Sequence, residues 1–234
     1  MPPHDKKDSS DRRPWDVKQI AALYEAEFQK YGYHLASLMI PKGASDARFK
    51  VKFEIGDLDQ SRILDVGCGF GHMLDHLKAW GIKARYTGID ILPGFIEIAR
   101  KRHPGADFRV LNILEDPVEE LWDWVFLVGA FNVAPKQKKW WRYVQAMVKK
   151  MFELSTQGVA ADFLSSYVDF KKNCSFHADP EQVFSFAKTL TKRVVLRHDY
   201  MAYEFTVYLY KNQSLTKNNI FSAYKKNIPP EPTL

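Results

Sequence analysis

Cysteine is scarce in this chain: Cys68 and Cys174 are the only two in 234 residues. Two thiols cannot build a disulfide framework, a four-thiolate zinc site or a three-cysteine iron–sulfur motif. Long apolar runs are missing too. The longest, from Trp124 to Phe131, is too short to span a bilayer, so no membrane association is expected. The first thirteen residues, MPPHDKKDSSDRR, lack the apolar stretch of a signal peptide. A cytoplasmic setting, where free thiols persist, is the expectation. No internal repeat is visible. What is present is ordinary core-forming material, 46% apolar and 26% charged residues.

The net charge of +6 and the isoelectric point near 9.1 raise the question of a polyanionic partner. Placing the charges weakens that idea. Residues 1–61 carry ten basic and ten acidic side chains, and residues 62–165 carry fourteen and twelve. Half of the excess, +3, lies in the tail 211–234, which holds Lys211, Lys217, Lys225 and Lys226 against Glu231. A solvated basic tail explains it, and nucleic acid is disfavoured as a partner.

Along the chain, residues 1–15 read as a disordered tail. Residues 16–60 read as a helical N-terminal cover. Its first helix is capped by Asp16 with Gln19 three residues on. Val17, Ile20, Tyr24, Phe28 and Tyr31 lie on one face, and Gly32 ends it. Breaks are expected at Pro41-Lys42-Gly43 and Gly56-Asp57.

From Ser61 strands and helices alternate. Strands are predicted at 62–66, 84–89, 108–113, 124–128, 158–164, 194–197 and 205–210. Helices are predicted at 70–80, 93–102, around 140–151, and from Asp179-Pro180 to Leu190. Such alternation predicts an α/β fold with a mostly parallel sheet and helices on both faces. The short connection before the last strand favours an antiparallel pair. In open sheets of this kind, ligands bind beyond the carboxyl ends of the strands. That rim carries the glycine loop, Asp90, Asn112 and Gly129–Asn132.

Three segments carry chemistry. Leu64-Asp65-Val66-Gly67-Cys68-Gly69-Phe70-Gly71-His72 joins a strand to a helix. Glycines there permit positive φ and a close backbone approach to a ligand, beside unpaired helix N–H groups. The spacing is G-x-G-x-G rather than the dinucleotide pattern G-x-G-x-x-G. Asp65 stands where dinucleotide binders carry an apolar residue. Second, Asp90 ends the strand Tyr86-Thr87-Gly88-Ile89-Asp90, where a carboxylate can accept two bonds from a ribose diol. Third, Phe108–Ile113 ends in Asn112, suited to an adenine edge, with Ile113 to pack on the ring. A bare strand–helix turn would explain the glycines alone. Cys68 sits in a backbone turn with no base nearby in sequence and reads as structural.

In order and spacing, LDVGCGFGHM, YTGID, FRVLNI and WDWVFLVGAFNV resemble the successive motifs of class I S-adenosylmethionine-dependent methyltransferases. The resemblance covers roughly residues 61–210. It implies a seven-stranded Rossmann-like sheet whose last strand is antiparallel. It implies that the Gly67–Gly71 loop, Cys68 and Gly69 included, lies against the methionine part of S-adenosyl-L-methionine. Asp65 would steady the loop or the amino group. Asp90 would take the ribose hydroxyls, and Ile91 would pack on the adenine. Asn112 departs from the acid usual at its position, though an amide also serves the adenine amino group. Gly129–Phe131 would pass beside the sulfonium, and Arg48 is a candidate partner for the cofactor carboxylate, or a surface arginine.

Methyl transfer from a sulfonium is an in-line displacement. It needs the nucleophile placed about 3 Å away and a base only if the acceptor must lose a proton. The polar, aromatic segment 165–178 is long for a connection and reads as a lid insertion. It supplies Tyr167, Asp169 and His177 as titratable candidates, with His177 as the candidate base. Asn132 either orients the acceptor or caps its own turn. Tyr24, Tyr31 and Tyr33 on the N-terminal helices are expected to complete the lid or to pack in the core. The expected acceptor is a small molecule.

Within the fold, the rivals are an RNA, DNA or protein methyltransferase. Phe131-Asn132-Val133-Ala134-Pro135 lacks the paired prolines of base amino-group methylases, and no nucleic-acid module is visible. A nicotinamide oxidoreductase is disfavoured by the loop spacing and Asp65. A catalytically silent interaction module stays open, since fold does not fix function. Oligomeric state is not legible in the sequence.

Overall fold

The computed structural model describes residues 17–39, 45–133, 137–171 and 175–225. The tail 1–15, Asp16, Pro41-Lys42-Gly43, Cys174 and the end of the basic tail lie outside these residues.

Strands β1 (Arg62–Val66), β2 (Arg85–Asp90), β3 (Asp107–Val110) and β4 (Trp122–Leu127) are followed by β5 (Ser155–Ser165) and a two-residue β6 (His177–Ala178). Strands β7 (Val194–Met201) and β8 (Glu204–Tyr210) end the sheet. The spatial order is β3-β2-β1-β4-β5-β8-β7, with β6 paired to β5 off this path. Strands β1 to β5 run parallel, and β8 lies antiparallel between β5 and β7. The seven strands of the path and the antiparallel last strand are as the sequence predicts. The eighth, β6, was not expected.

Sequence alternation explains the two layers. On β1, β4 and β5, Ile63, Phe126 and Ala160 face one side, where α2 (Ser45–Phe53), α3 (His72–Ala79) and α4 (Pro93–Arg102) contribute to the core. Leu64, Val125, Leu127, Val159 and Ala161 face the other, against α5 (Gln137–Leu154) and α6 (Pro180–Leu190). Strands apolar on both faces are what a doubly covered parallel sheet requires. Asp179 caps α6 through its carboxylate, which accepts the Gln182 N–H at 3.0 Å, with Pro180 in the first turn.

Helix α1 (Val17–Tyr31) ends at Gly32, which has φ of +59°. A short 3-10 turn, Leu35–Leu38, follows. Phe28 packs edge-on against Phe95 of α4, with ring centroids 5.3 Å apart, and tilts against Phe70 at 6.0 Å. This contact lays α1 across the carboxyl edge of the sheet.

Strand β5 starts at Ser155 and β7 runs on to Met201, outside their predicted bounds, and two further boundaries shift for local reasons. Helix α3 begins at His72 rather than Phe70, because Gly67, Gly69 and Gly71 all take positive φ and hold the chain out of the helix. Strand β3 stops at Val110 rather than Ile113, because the Asn112 N–H donates to Asp116 and its side-chain oxygen accepts the Leu114 N–H. That turn draws the chain off the sheet. No helix among the described residues is long and apolar enough to cross a membrane.

Candidate active site

A cavity opens at the carboxyl ends of β1, β2 and β4. Its floor is the loop Asp65–Gly69, the segment Ile89–Leu92, the turn Leu111–Ile113 and the stretch Leu127–Ala130. Its roof comes from Ile20 and Tyr24 of α1, then Leu35 and Leu38. Phe49 of α2 and His72, Met73 and His76 of α3 form one end wall, and Tyr143 and Met147 of α5 another.

The floor is shaped for close approach. Gly67 has φ of +73°, and a Cβ there would stand 3.0 Å from the Ala130 Cβ. Gly69 has φ of +54°, and its Cβ would meet Leu38 at 2.8 Å. Side chains at either position would be strained and would narrow the cavity. Gly71 serves a different purpose from the predicted one. It does not line the cavity; its missing Cβ makes room for Phe108 and His103 beneath the loop.

Asp90 is buried, and its oxygens are held apart by backbone. Oδ1 accepts the Leu92 N–H and Oδ2 the Gly69 N–H, each at 3.0 Å. The Ile91 N–H also acts on the carboxylate, which keeps acceptor capacity for a further donor. Burial pushes its pKa up to about 6, against the pull of the N–H groups of Leu92 and Gly69. Asp65 accepts the Tyr86 hydroxyl at 2.8 Å, and burial carries its pKa to about 7, with Asp90 and Asp162 adding to the rise. Cys68 is buried in the cavity wall, and burial beside these acids keeps its thiol protonated. Asn112 and Ile113 sit together on the floor, the Asn112 oxygen holding one lone pair beyond its bond to Leu114.

Two buried carboxylates, a loop without side chains and an apolar slot at Ile91 and Ile113 make a donor-seeking, partly apolar cradle. Its parts suit a nucleoside carrying a positively charged tail. A pyrophosphate would meet repulsion here.

Arg48, Tyr167, His177 and Asn132 do not line this cavity. Arg48 is fully buried and makes a two-pronged ion pair with Glu204, through Nε at 2.6 Å and through Nη2. It is neither a surface residue nor directed to the cavity. Tyr167 is 59% exposed and donates to Glu181 at 2.6 Å. His177 lies in β6, its Nδ1 2.9 Å from the Ser165 carbonyl oxygen. Of the segment expected as a lid, residues 165–171 and 175–178 are described, and none of them lines the cavity. Leu164 and Ser165 pair with His177 and Ala178, and the Phe176 N–H donates to Asn132 O at 3.0 Å. The roof is α1 with the 3-10 turn, to which the predicted Tyr24 contributes, whereas Tyr31 and Tyr33 are exposed. Asn132 stays beside the rim, its side-chain nitrogen 3.8 Å from the position of a Cβ on Gly129.

Sequence reasoning missed His72 and His76. They follow the glycine loop at i and i+4, one helical face, and that spacing was the available signal. Burial, with the nearby Arg102 charge, lowers the His72 pKa to about 4, so its imidazole is neutral at physiological pH.

Comparison with known proteins agrees with this geometry. A family model described as a methyltransferase domain matches residues 63–151. Rv1506c of Mycobacterium tuberculosis, provisionally named a methyltransferase, is 35% identical over 161 residues, 65% of this chain and 95% of its own length. Among solved structures, the magnesium protoporphyrin IX methyltransferase of Synechocystis PCC 6803 with bound S-adenosylhomocysteine superposes with a TM-score of 0.59. That match is 12% identical and covers 83% of this chain and 99% of the other. Human N-acetylserotonin methyltransferase with S-adenosylmethionine gives 0.61 at 13% identity, over 81% of this chain and 59% of the other. With its sheet order, its glycine loop and its rim acids, the chain belongs to the class I S-adenosylmethionine-dependent methyltransferases.

Proposed function

We propose that this enzyme methylates a small-molecule acceptor enclosed between the glycine loop and α1. The carrying observation is the roof. Ile20, Tyr24, Leu35 and Leu38 cover the rim, which favours an acceptor small enough to sit beneath them over a duplex or a folded protein.

When bound, S-adenosylmethionine supplies a methyl group activated by the sulfonium. The chain's own residues then bind and orient. Asp90 accepts the ribose hydroxyls with its remaining acceptor capacity. Gly67, Cys68 and Gly69 present backbone to the methionine part, and Asp65 favours its positive charge. Ile91 and Ile113 flank the adenine, with Asn112 at its edge. Gly129 borders the transfer position. The end wall of Phe49 and Met73, under Leu35 and Leu38 of the roof, offers the acceptor an apolar seat with His72 and His76 as its polar groups. His72, neutral and within the cavity, replaces His177 as the candidate base for an acceptor that must lose a proton. The acceptors in the names of the two solved enzymes, magnesium protoporphyrin IX and N-acetylserotonin, are small molecules and support this acceptor class.

The test is transfer of labelled methyl from S-adenosylmethionine into a fractionated cell extract. Label in the low-molecular-weight fraction is the expected result. Label confined to RNA or to protein contradicts the reading, and no label in any fraction favours a silent module. Once the acceptor is known, His72→Gln is expected to lower turnover with cofactor affinity kept.

A further inference from the structure

A second acid stands at the sheet rim outside the cavity. Asp162 of β5 is 1% exposed, and its Oδ1 accepts the Gly129 N–H at 2.7 Å. Its Oδ2 is 3.2 Å from Lys52 Nζ, on α2, which is fully buried. The same ammonium donates to Thr206 Oγ1 at 2.9 Å, and that hydroxyl is 2.9 Å from the Tyr200 hydroxyl. Thr206 lies directly across the β5–β8 ladder from Asp162. One layer of polar side chains therefore ties α2, β5, β7 and β8 to a single backbone N–H.

That N–H belongs to a residue with φ of +74° that lines the cavity where β4 ends. A buried charge pair is weak evidence for stability, because desolvation offsets most of the attraction. Apolar side chains would fill the same space. A hydrogen bond from the turn to a carboxylate does something apolar packing does not. It fixes where the Gly129 peptide stands relative to the floor, and a charge-assisted bond is shorter and stiffer than a neutral one.

We propose that Asp162, paired with Lys52, is a positioning residue for methyl transfer: it holds the Gly129 turn as the wall of the cofactor cavity at β4. The proposal rests on the reading that Gly129 borders bound cofactor, and Asp162 touches neither cofactor nor acceptor.

The test separates packing from positioning with two double variants and S-adenosylmethionine as probe. Asp162→Asn with Lys52→Met keeps an acceptor oxygen for Gly129 and leaves no unpaired charge. Asp162→Leu with Lys52→Met keeps the volume and removes the acceptor. Both are first checked for cooperative thermal unfolding. The asparagine pair is expected to bind S-adenosylmethionine within about twofold of the parent, and the leucine pair roughly tenfold more weakly, the size of one lost hydrogen bond to a charged group. Parent-like affinity in a folded leucine pair overturns the proposal. A measurement on the unaltered chain covers the case in which a variant does not fold. The Gly129 amide proton is expected downfield in the NMR spectrum and shifted on adding S-adenosylmethionine; a resonance unmoved at saturation overturns the proposal. If the unaltered chain binds no S-adenosylmethionine, the cofactor reading fails instead.

Discussion

Asp90 ends β2 and Asp162 lies within β5, just past the level at which the neighbouring β4 ends, and the two acids of one sheet are held in opposite ways. Asp90 is anchored by backbone N–H groups from Gly69 and Leu92 and is open to the cavity. Asp162 is closed off, with a lysine from α2 on one oxygen and the Gly129 N–H on the other. The first acid faces the cavity, where we propose it meets the cofactor. The second is arranged to hold the protein. Burial alone does not tell them apart; the cavity does, since Asp90 lines it and Asp162 does not.

The comparison breaks most visibly if one partner of the closed pair is removed. Lys52→Ala strands a buried carboxylate and is expected to lower unfolding free energy by about 3–5 kcal/mol, read by urea denaturation. A loss under 1 kcal/mol would mean that the Asp162 side of the sheet is more open than described.

Asp90→Ala is the matching experiment on the open acid. It is expected to weaken S-adenosylmethionine binding by about 1–3 kcal/mol, measured by calorimetry. Unchanged affinity would return Asp90 to a purely structural part in the loop.

A pH series sharpens the difference between holding and binding. The folded pKa values of Asp65 and Asp90, about 7 and about 6, lie above those of an unfolded chain. The folded state therefore takes up more protons in that range, and stability contributed by these groups rises as pH falls from above 7 toward 4. Affinity for the cationic cofactor is expected to fall over the same interval as the carboxylates lose charge. His72, with its pKa lowered from 6.5 to about 4, opposes this gain as pH falls, so the comparison is made in His72→Gln, where the ligand-free chain should gain thermal stability while its affinity drops. Parallel movement of the two would contradict the assignment.

The smallest effects are expected at the predicted lid. His177→Ala and Tyr167→Phe should leave cofactor affinity unchanged, since neither residue lines the cavity. A clear loss from either would bring segment 165–178 back over the site.

The same contrast explains what could be read in the sequence. The Asp90 side is written in short stretches. Its partners lie 21 and two residues away, within one strand–helix–strand unit, so glycine spacing and a strand-end acid disclose it. The strands and the antiparallel last pair followed from alternation and connection length for the same local reasons. The Asp162 side is assembled from α2, β4 and β8. Arg48 illustrates the cost of reading it locally: its partner, Glu204, is 156 residues away and takes the guanidinium that sequence order offered to the cofactor. His177 failed for a related reason. A two-residue strand carries no periodicity, so β6 was invisible and its histidine seemed free. His72 was in plain view in the glycine motif, but only the placement of α1 and α2 makes that side of α3 a cavity wall.

The most direct measurement is a calorimetric titration of S-adenosylmethionine into the full chain at neutral pH. The expected result is saturable binding of one molecule per chain, weakened in Asp90→Ala and retained in His177→Ala. Absence of saturable binding to folded protein would contradict the account of the cavity.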